Sequence, residues 1–344
     1  MKKIFRAVLI LAALLLCSNI ISLDWLQVCY ATTSNYSTPK SKLVAGVTKN
    51  GLGVSNVDFL AKPTNSKVHF KPTPSMCKFH AKRLSSIVTT NITSLKNMTM
   101  KTQMVSHIVD YFSWTNQSSC QISHYFGGFM VSSAAGMVSM DGQKAICLDQ
   151  MVAPRPDRCI VYSFGINYDW SFDDAMDLYG CKVFSFDPSM NVSNHRRSEN
   201  VIFYQMALND IDKNEWKKNF GIPSRTLSSI YNMLEPIHGA NVTIDYLKID
   251  IETTEWIVLP QIMKSGMLDR VRQLSVEIHM DFNKTVDMCC EQANIIHLLE
   301  DYGMIRFDSK PNVYSVINVP QRKSLGFAAY EIAWYNNRAL HLNS

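Results

Sequence analysis

From Cys159 onward the chain alternates short apolar strands with amphipathic helices, and this alternation is what most restricts its fold. "CIVYSFGI", "CKVFSFDP", "VIFYQMAL", "IDYLKIDI" and "VRQLSVEIH" read as five strands. Between them lie "SFDDAMDLYG", "RTLSSIYNML" and "EWIVLPQIMKSG", and "CEQANIIHLLEDYG" follows the fifth. Those runs place apolar residues three and four apart, the helical period. Strands joined by helices of this length predict an α/β fold: a doubly wound, mostly parallel, Rossmann-like sheet. "MIRFD", "VYSVIN" and "FAAYEIAWY" then come without a helix between them, which predicts an antiparallel C-terminal hairpin at one edge. Ser171 is read as the N-cap of its helix, and Pro260 as a kink or the true start of another.

The rest of the chain sorts by composition. Residues 1–31 carry Lys2, Lys3 and Arg6 around an apolar run from Ile4 to Leu16, as a signal peptide or signal anchor does. Residues 32–75 are rich in Ser, Thr, Asn, Lys and Pro and read as a flexible stem. Residues 76–146 form a helical and turn-rich lead-in, with Met104, Ile108 and Phe112 on one helical face and a small hairpin expected around "MDG". The alternating domain is set at 147–336, followed by a tail at 337–344. A net charge of +5 without a long basic run argues against a nucleic-acid partner.

The leader implies the secretory lumen, secreted or retained in the Golgi or ER, with membrane contact only through an anchor. Seven N-x-S/T sequons agree with it, against about three by chance. So do nine cysteines, since an oxidising compartment pairs thiols. Cys159 and Cys181 each lie six residues before a strand end. On adjacent strands in step, their Cα atoms fall within the roughly 4.4–6.8 Å that a disulfide spans. Pairing of Cys159 with Cys147 or Cys120 competes equally.

In such a sheet, ligands bind beyond the carboxyl ends of the strands. Ser163, Phe164, Gly165 and Asn167 end the first strand, Asp187 the second, Asp250 the fourth, and Glu277 and His279 the fifth. Gly165 permits close backbone approach, and Asn167 tolerates a left-handed turn. Asp187 lies 22 residues beyond Gly165, the spacing of a carboxylate that takes ribose hydroxyls. No G-x-G-x-x-G is present, so a pyrophosphate is less suited than S-adenosylmethionine, which has a ribose and no phosphate. Asp250, Glu277 and His279 are the candidate catalytic groups, with His279 as a base or merely a loop-end hydrogen-bond partner. Glu252 reads as a helix N-terminal charge, and Lys248 as paired with a carboxylate lower on its strand or reaching to solvent. A divalent cation held by Asp250, Glu252, Glu277 and His279 is the minor alternative; no metal is expected.

"CIVYSFGINYDWSFDDAMDLYGCKVFSFDPSM" and "YLKIDIETTEWIVLPQIMKSGMLDRVRQLSVEIHM" resemble the animal methyltransferase-like protein 24 family, and the second also FkbM-type methyltransferases. The resemblance implies a class I S-adenosylmethionine-dependent methyltransferase fold in secretory proteins, and supplies no acceptor. It departs from the family at Asn167, where "FGIG" is usual, and at Thr253 and Thr254, where "DIEGAEW" is usual. The reading is therefore a lumenal methyltransferase acting on oxygen of a sugar or small molecule. The rivals are a catalytically degraded binding protein of the same fold and a metal-dependent glycosyltransferase.

Overall fold

The computed structural model describes residues 92–132, 138–217, 221–319 and 324–338. They all belong to one unit, Val68–Ser344; the other unit, Met1–Lys67, lies outside the described residues, as do the leader, the whole stem and the start of the lead-in. Among the described residues no helix is long and apolar enough to cross a membrane.

The lead-in begins with helix α1 (Ile92–Ser113), which buries Val105, Ile108 and Phe112 as its period requires. Strands β1 (Ser123–Phe126), β2 (Phe129–Ser132), β3 (Val138–Asp141) and β4 (Lys144–Cys147) follow. The expected hairpin around "MDG" does not form. β3 pairs with β2 and β4 with β1, so Gly142 joins two ribbons.

The alternating region gives β5 (Ile160–Phe164), α2 (Ser171–Tyr179), β6 (Lys182–Phe186), β7 (His195–Arg196), β8 (Val201–Tyr204), β9 (Ala207–Leu208), β10 (Ser224–Arg225) and α3 (Leu227–His238). Next come β11 (Ile244–Ile249), α4 (Glu255–Lys264), β12 (Val271–His279), α5 (Val286–Tyr302), β13 (Met304–Pro311), β14 (Val316–Val319), β15 (Ser324–Phe327) and β16 (Ala329–Asn336). Eight strands form one sheet in the order β13-β16-β12-β11-β5-β6-β8-β7. The five from β12 to β8 are parallel. At one edge β16 runs antiparallel between β12 and β13, with the separate β14–β15 ribbon in the connection, so the ending is not a simple hairpin. "VIFYQMAL" splits: β8 stops at Tyr204, and β9 leaves the sheet to pair with β10.

Alternation of side chains builds the two layers. Tyr162, Phe164, Phe184, Phe186, Leu247 and Ile249 face the core shared with α1, α3, α4 and α5. Val161, Val183 and Tyr246 face the other way, onto Phe172 and Met176 of α2. Each such fully buried side chain contributes roughly 1.5–3 kcal/mol. Helices on both faces make the sheet doubly wound. Ser171 is not the cap of α2. Asp169 Oδ1 accepts the Ser171 N–H (2.9 Å), while Ser171 Oγ accepts from Gly128 N (2.7 Å) and holds the lead-in in place. Helix α4 begins at Glu255 and runs through Pro260.

Cys159 and Cys181 form a disulfide with Cα atoms 4.7 Å apart, in step at the start of β5 and β6. Cys120 pairs with Cys147, which excludes the competing partners for Cys159. Cys290 is also disulfide-bonded, and Cys289 is a buried free thiol. These bonds are consistent with a secretory or lumenal protein.

Candidate functional site

A cavity of about 770 Å³ opens beyond the carboxyl ends of the parallel strands. It straddles β5 and β11, where the chain reverses its direction of sheet growth, the switch point at which such folds bind ligands. Gly165, Asn167 and Asp187 line one end; Asp250, Glu277 and His279 line the other. Two of the expected residues stay outside. Phe164 is buried in the core and stacks on Phe186 at 4.6 Å. Ser163 points to the opposite layer and donates to Asp173 Oδ2 at 3.3 Å. Both are mid-sheet positions whose side chains must enter one layer or the other.

At the first end, the turn after β5 is shaped by its own chain. Gly165 has φ +80°, and a Cβ there would sit 1.6 Å from the carbonyl oxygen of Asp250. The glycine is needed for the passage of the next strand, more than for the approach of a ligand. Asn167 and Tyr168 continue in the left-handed region at φ 43° and 65°. Asp187 holds this turn: Oδ2 accepts from Ile166 N and Asn167 N, both at 2.8 Å, and Oδ1 from Ser189 N (2.7 Å) and Ser189 Oγ (2.6 Å). All four of its acceptor sites therefore serve the protein, where the sequence reading gave them to a ribose. Among the described residues Lys248 has no carboxylate hydrogen bond. Its buried ammonium donates to the carbonyls of Phe164 and Gly165. Under the turn, Asp173 takes the hydroxyls of Ser163 and Ser185, and burial pushes its carboxyl up to about 6.

The second end is built around a residue the sequence reading did not single out. Lys144 of β4 is fully buried, 3.4 Å from Asp250 Oδ2, 3.9 Å from Glu277 Oε2, and in contact with Glu331 Oε1. Burial works against the ammonium, but the three carboxylates raise its pKa well above the ordinary lysine range. Burial also works against the Asp250 anion; Lys144 and Lys248 overcome it and hold that carboxyl below its usual range. Glu277 goes the other way. Burial, then the negative charges of Asp250 and Glu331, push it up to about 8, and Asn312 Nδ2 donates to its Oε1 at 2.7 Å. Near neutral pH one proton thus sits on the Asp250–Glu277 pair.

His279 is not a free base. Burial works against its charge, but Nδ1 lies 3.1 Å from Glu255 Oε1 and Nε2 3.4 Å from Glu252 Oε2, and its pKa rises to about 9. It is an imidazolium at neutral pH. Three clusters of potential metal ligands lie among the described residues: Cys120, Cys147 and Asp149, whose two thiols form a disulfide; Asp250, Glu252 and His279; and Asp250, Glu277 and Glu331, which already surround the Lys144 ammonium.

These charges predict a pH dependence of stability. Glu277 and His279 have folded values raised from 4.5 to about 8 and from 6.5 to about 9. The folded state then holds protons that the unfolded chain has released, so their stabilisation is complete at low pH and fades as pH rises. The melting temperature is expected to fall between about pH 4.5 and 9, most steeply between about 6.5 and 8 where both groups contribute, and Glu277→Gln to flatten the part below about pH 8. A melting temperature that holds or rises over this window would contradict the assignment.

Glu252 and Thr253 also have positive φ, 53° and 74°. A β-branched residue is strained in that region, by roughly 1–3 kcal/mol. Thr253→Gly is expected to stabilise the protein by about 1 kcal/mol in denaturant unfolding.

A doubly wound α/β sheet with a small-molecule cavity at its switch point defines the class of the protein. A family model described as "Methyltransferase domain" matches residues 90–321, well over half of the chain, and the chain belongs to this family. It is similar to "Probable methyltransferase-like protein 24" of Homo sapiens, at 29% identity over 143 residues, 40% of this chain and 38% of the relative. The relative of the same name in Rattus norvegicus gives 29% identity over 143 residues, 39% of this chain and 38% of the relative. The chain spans less than two fifths of the length of these curated relatives. The resemblance read in the sequence is borne out, and the family implies a methyl-donor cofactor.

Proposed function

We propose that the protein is an S-adenosylmethionine-dependent methyltransferase of the secretory pathway that methylates an oxygen of a sugar or small-molecule acceptor. The observation that carries this reading is the charge of the cavity beyond the parallel strands. Asp141, Asp169, Asp187, Asp250 and Glu252 line it, with Glu277 beside them holding the shared proton. Against them stand Lys217, Lys248 and His279, and the Lys248 ammonium is engaged with backbone carbonyls. A cavity of this sign suits a cationic donor and repels a pyrophosphate, as it repels an anionic acceptor.

Gly165 to Asn167 and Asp187 would hold the adenosyl part, and Asp250 lies between them and the acceptor end. S-adenosylmethionine supplies an electrophilic methyl group on a sulfonium. Orientation accounts for much of the acceleration of such a displacement. The Asp250–Glu277 pair can take the hydroxyl proton of an acceptor once its own shared proton has left, a role that His279, charged at neutral pH, does not fill. The disulfides, together with the sequons and the N-terminal leader, support a lumenal site of action.

One observation favours the second reading, a non-catalytic binding protein of the same fold: the four acceptor sites of Asp187 are filled from within. The glycosyltransferase reading has less in its favour, since Asp250, Glu277 and Glu331 already surround the Lys144 ammonium. Calorimetry with S-adenosylmethionine, S-adenosylhomocysteine and UDP, with and without manganese, separates the three. Binding of the adenosyl ligands and not of UDP is expected. Folded protein that binds neither adenosyl ligand would overturn the proposal.

A further inference from the structure

We propose that Lys144 is the resident cation of the acceptor end: a positioning residue that holds Asp250, Glu277 and Glu331 together where a divalent metal ion would otherwise be required. This rests on the methyltransferase reading only for its consequence for catalysis; the electrostatic role stands on geometry.

The three carboxylates come from the end of β11, from β12 and from β16. They bring one oxygen each to within 4.8 Å of one another, close enough to share a small cation. Three carboxylates this near repel strongly in a buried site, and need protons or a cation among them. The Lys144 side chain is completely buried, and its Nζ reaches all three. Glu331 Oε2 is buried and makes no hydrogen bond, so the cluster retains an acceptor that the ammonium does not use.

The ammonium is also fixed from behind. Tyr246 Oη donates to Ala145 O at 2.8 Å, and Gln273 bonds both Cys147 N and Cys147 O at 2.8 Å. The Cys120–Cys147 disulfide anchors the end of β4. Lys144 is therefore carried on a short strand clamped to the sheet, and its place does not depend on a flexible loop. An ammonium so held keeps Asp250 anionic at the junction of the two ends of the cavity, independent of metal supply.

The test uses Mn²⁺ alone as probe, read by electron paramagnetic resonance on the intact protein. Wild type is expected to bind no Mn²⁺ at this cluster. Lys144→Ala, shown to be folded by near-ultraviolet circular dichroism, is expected to bind one Mn²⁺ per chain, and Lys144→Ala/Asp250→Asn to lose it. A merely structural lysine would not produce that gain. Stoichiometric Mn²⁺ binding by wild type that Glu331→Gln removes would overturn the proposal, as would folded Lys144→Ala that binds none. If Lys144→Ala does not fold, the wild-type titration decides alone. Because the readout needs neither methyl donor nor acceptor, its failure is distinguishable from failure of the adenosyl-binding experiment.

Discussion

Replacing Gly165 with alanine is expected to abolish binding of the adenosyl ligand and to destabilise the fold by about 1–3 kcal/mol or more. Two costs coincide at this residue. The backbone is left-handed, at φ +80°, where a Cβ is disfavoured. The new methyl would also fall 1.6 Å from Asp250 O and 2.7 Å from Asp250 C, both backbone atoms of the neighbouring strand end. The overlap cannot be relieved by turning a side chain. Either the turn after β5 or the segment after β11 must move, and the cavity lies between them. Denaturant unfolding and calorimetry measure the two effects separately. Wild-type affinity in Gly165→Ala would mean that the close approach of these strands does not shape the site.

The second large effect is expected at Asp250. Asp250→Asn keeps the volume and leaves Lys144 its contact with Glu331, so the fold is expected to survive. What it removes is the anion at the junction of the two ends. Methyl transfer is expected to drop by about 100-fold or more, in the range found when a positioned acid–base group is lost. The fall should appear in kcat more than in the affinity for the adenosyl ligand. A pH signature accompanies it. The Asp250 charge is among the causes that raise Glu277 to about 8, so Glu277 should titrate lower in the variant. The limb of the pH–rate profile that rises near pH 8 in wild type should then move to lower pH. An unchanged profile would exclude the pair as the proton acceptor, even if the rate fell.

The parallel core was legible because its strands announce themselves twice, by apolar runs and by the turn residues that end them. Gly165, Asp187 and Asp250 were found from strand ends alone, and they meet in one cavity. Ser163 and Phe164 lie two and one residues before the first lining residue, Gly165, because sequence shows where a strand stops only to within a turn. The chemistry of the acceptor end was less visible. Lys144 and Glu331 lie in "QKAIC" and "YEIAW", each a lone charge in an apolar strand. Such a charge needs a buried partner, and that was the available signal. Who the partner is depends on the packing of β4 against β12 and β16, which strand periodicity does not encode. His279, read as a base or as a loop-end hydrogen-bond partner, could not be decided for the same reason, since it bonds Glu255, a residue 24 positions away that reads as an ordinary helix start. The family's glycine after "DIE" had a cause that the structure makes plain: position 253 turns left-handed, and threonine there is strained.

The insertion of β16 between β12 and β13 has a consequence for biosynthesis. Residues that pair Gln273 with Tyr335 are separated by most of the C-terminal half of the domain, and Glu331 arrives only with that strand. A chain emerging from the ribosome can assemble the turn after β5 and its Asp187 clasp well before the proton-sharing pair is enclosed. Under the proposed mechanism, competence to remove a proton is acquired late, because β12 lacks its β16 neighbour until synthesis of the domain is nearly complete.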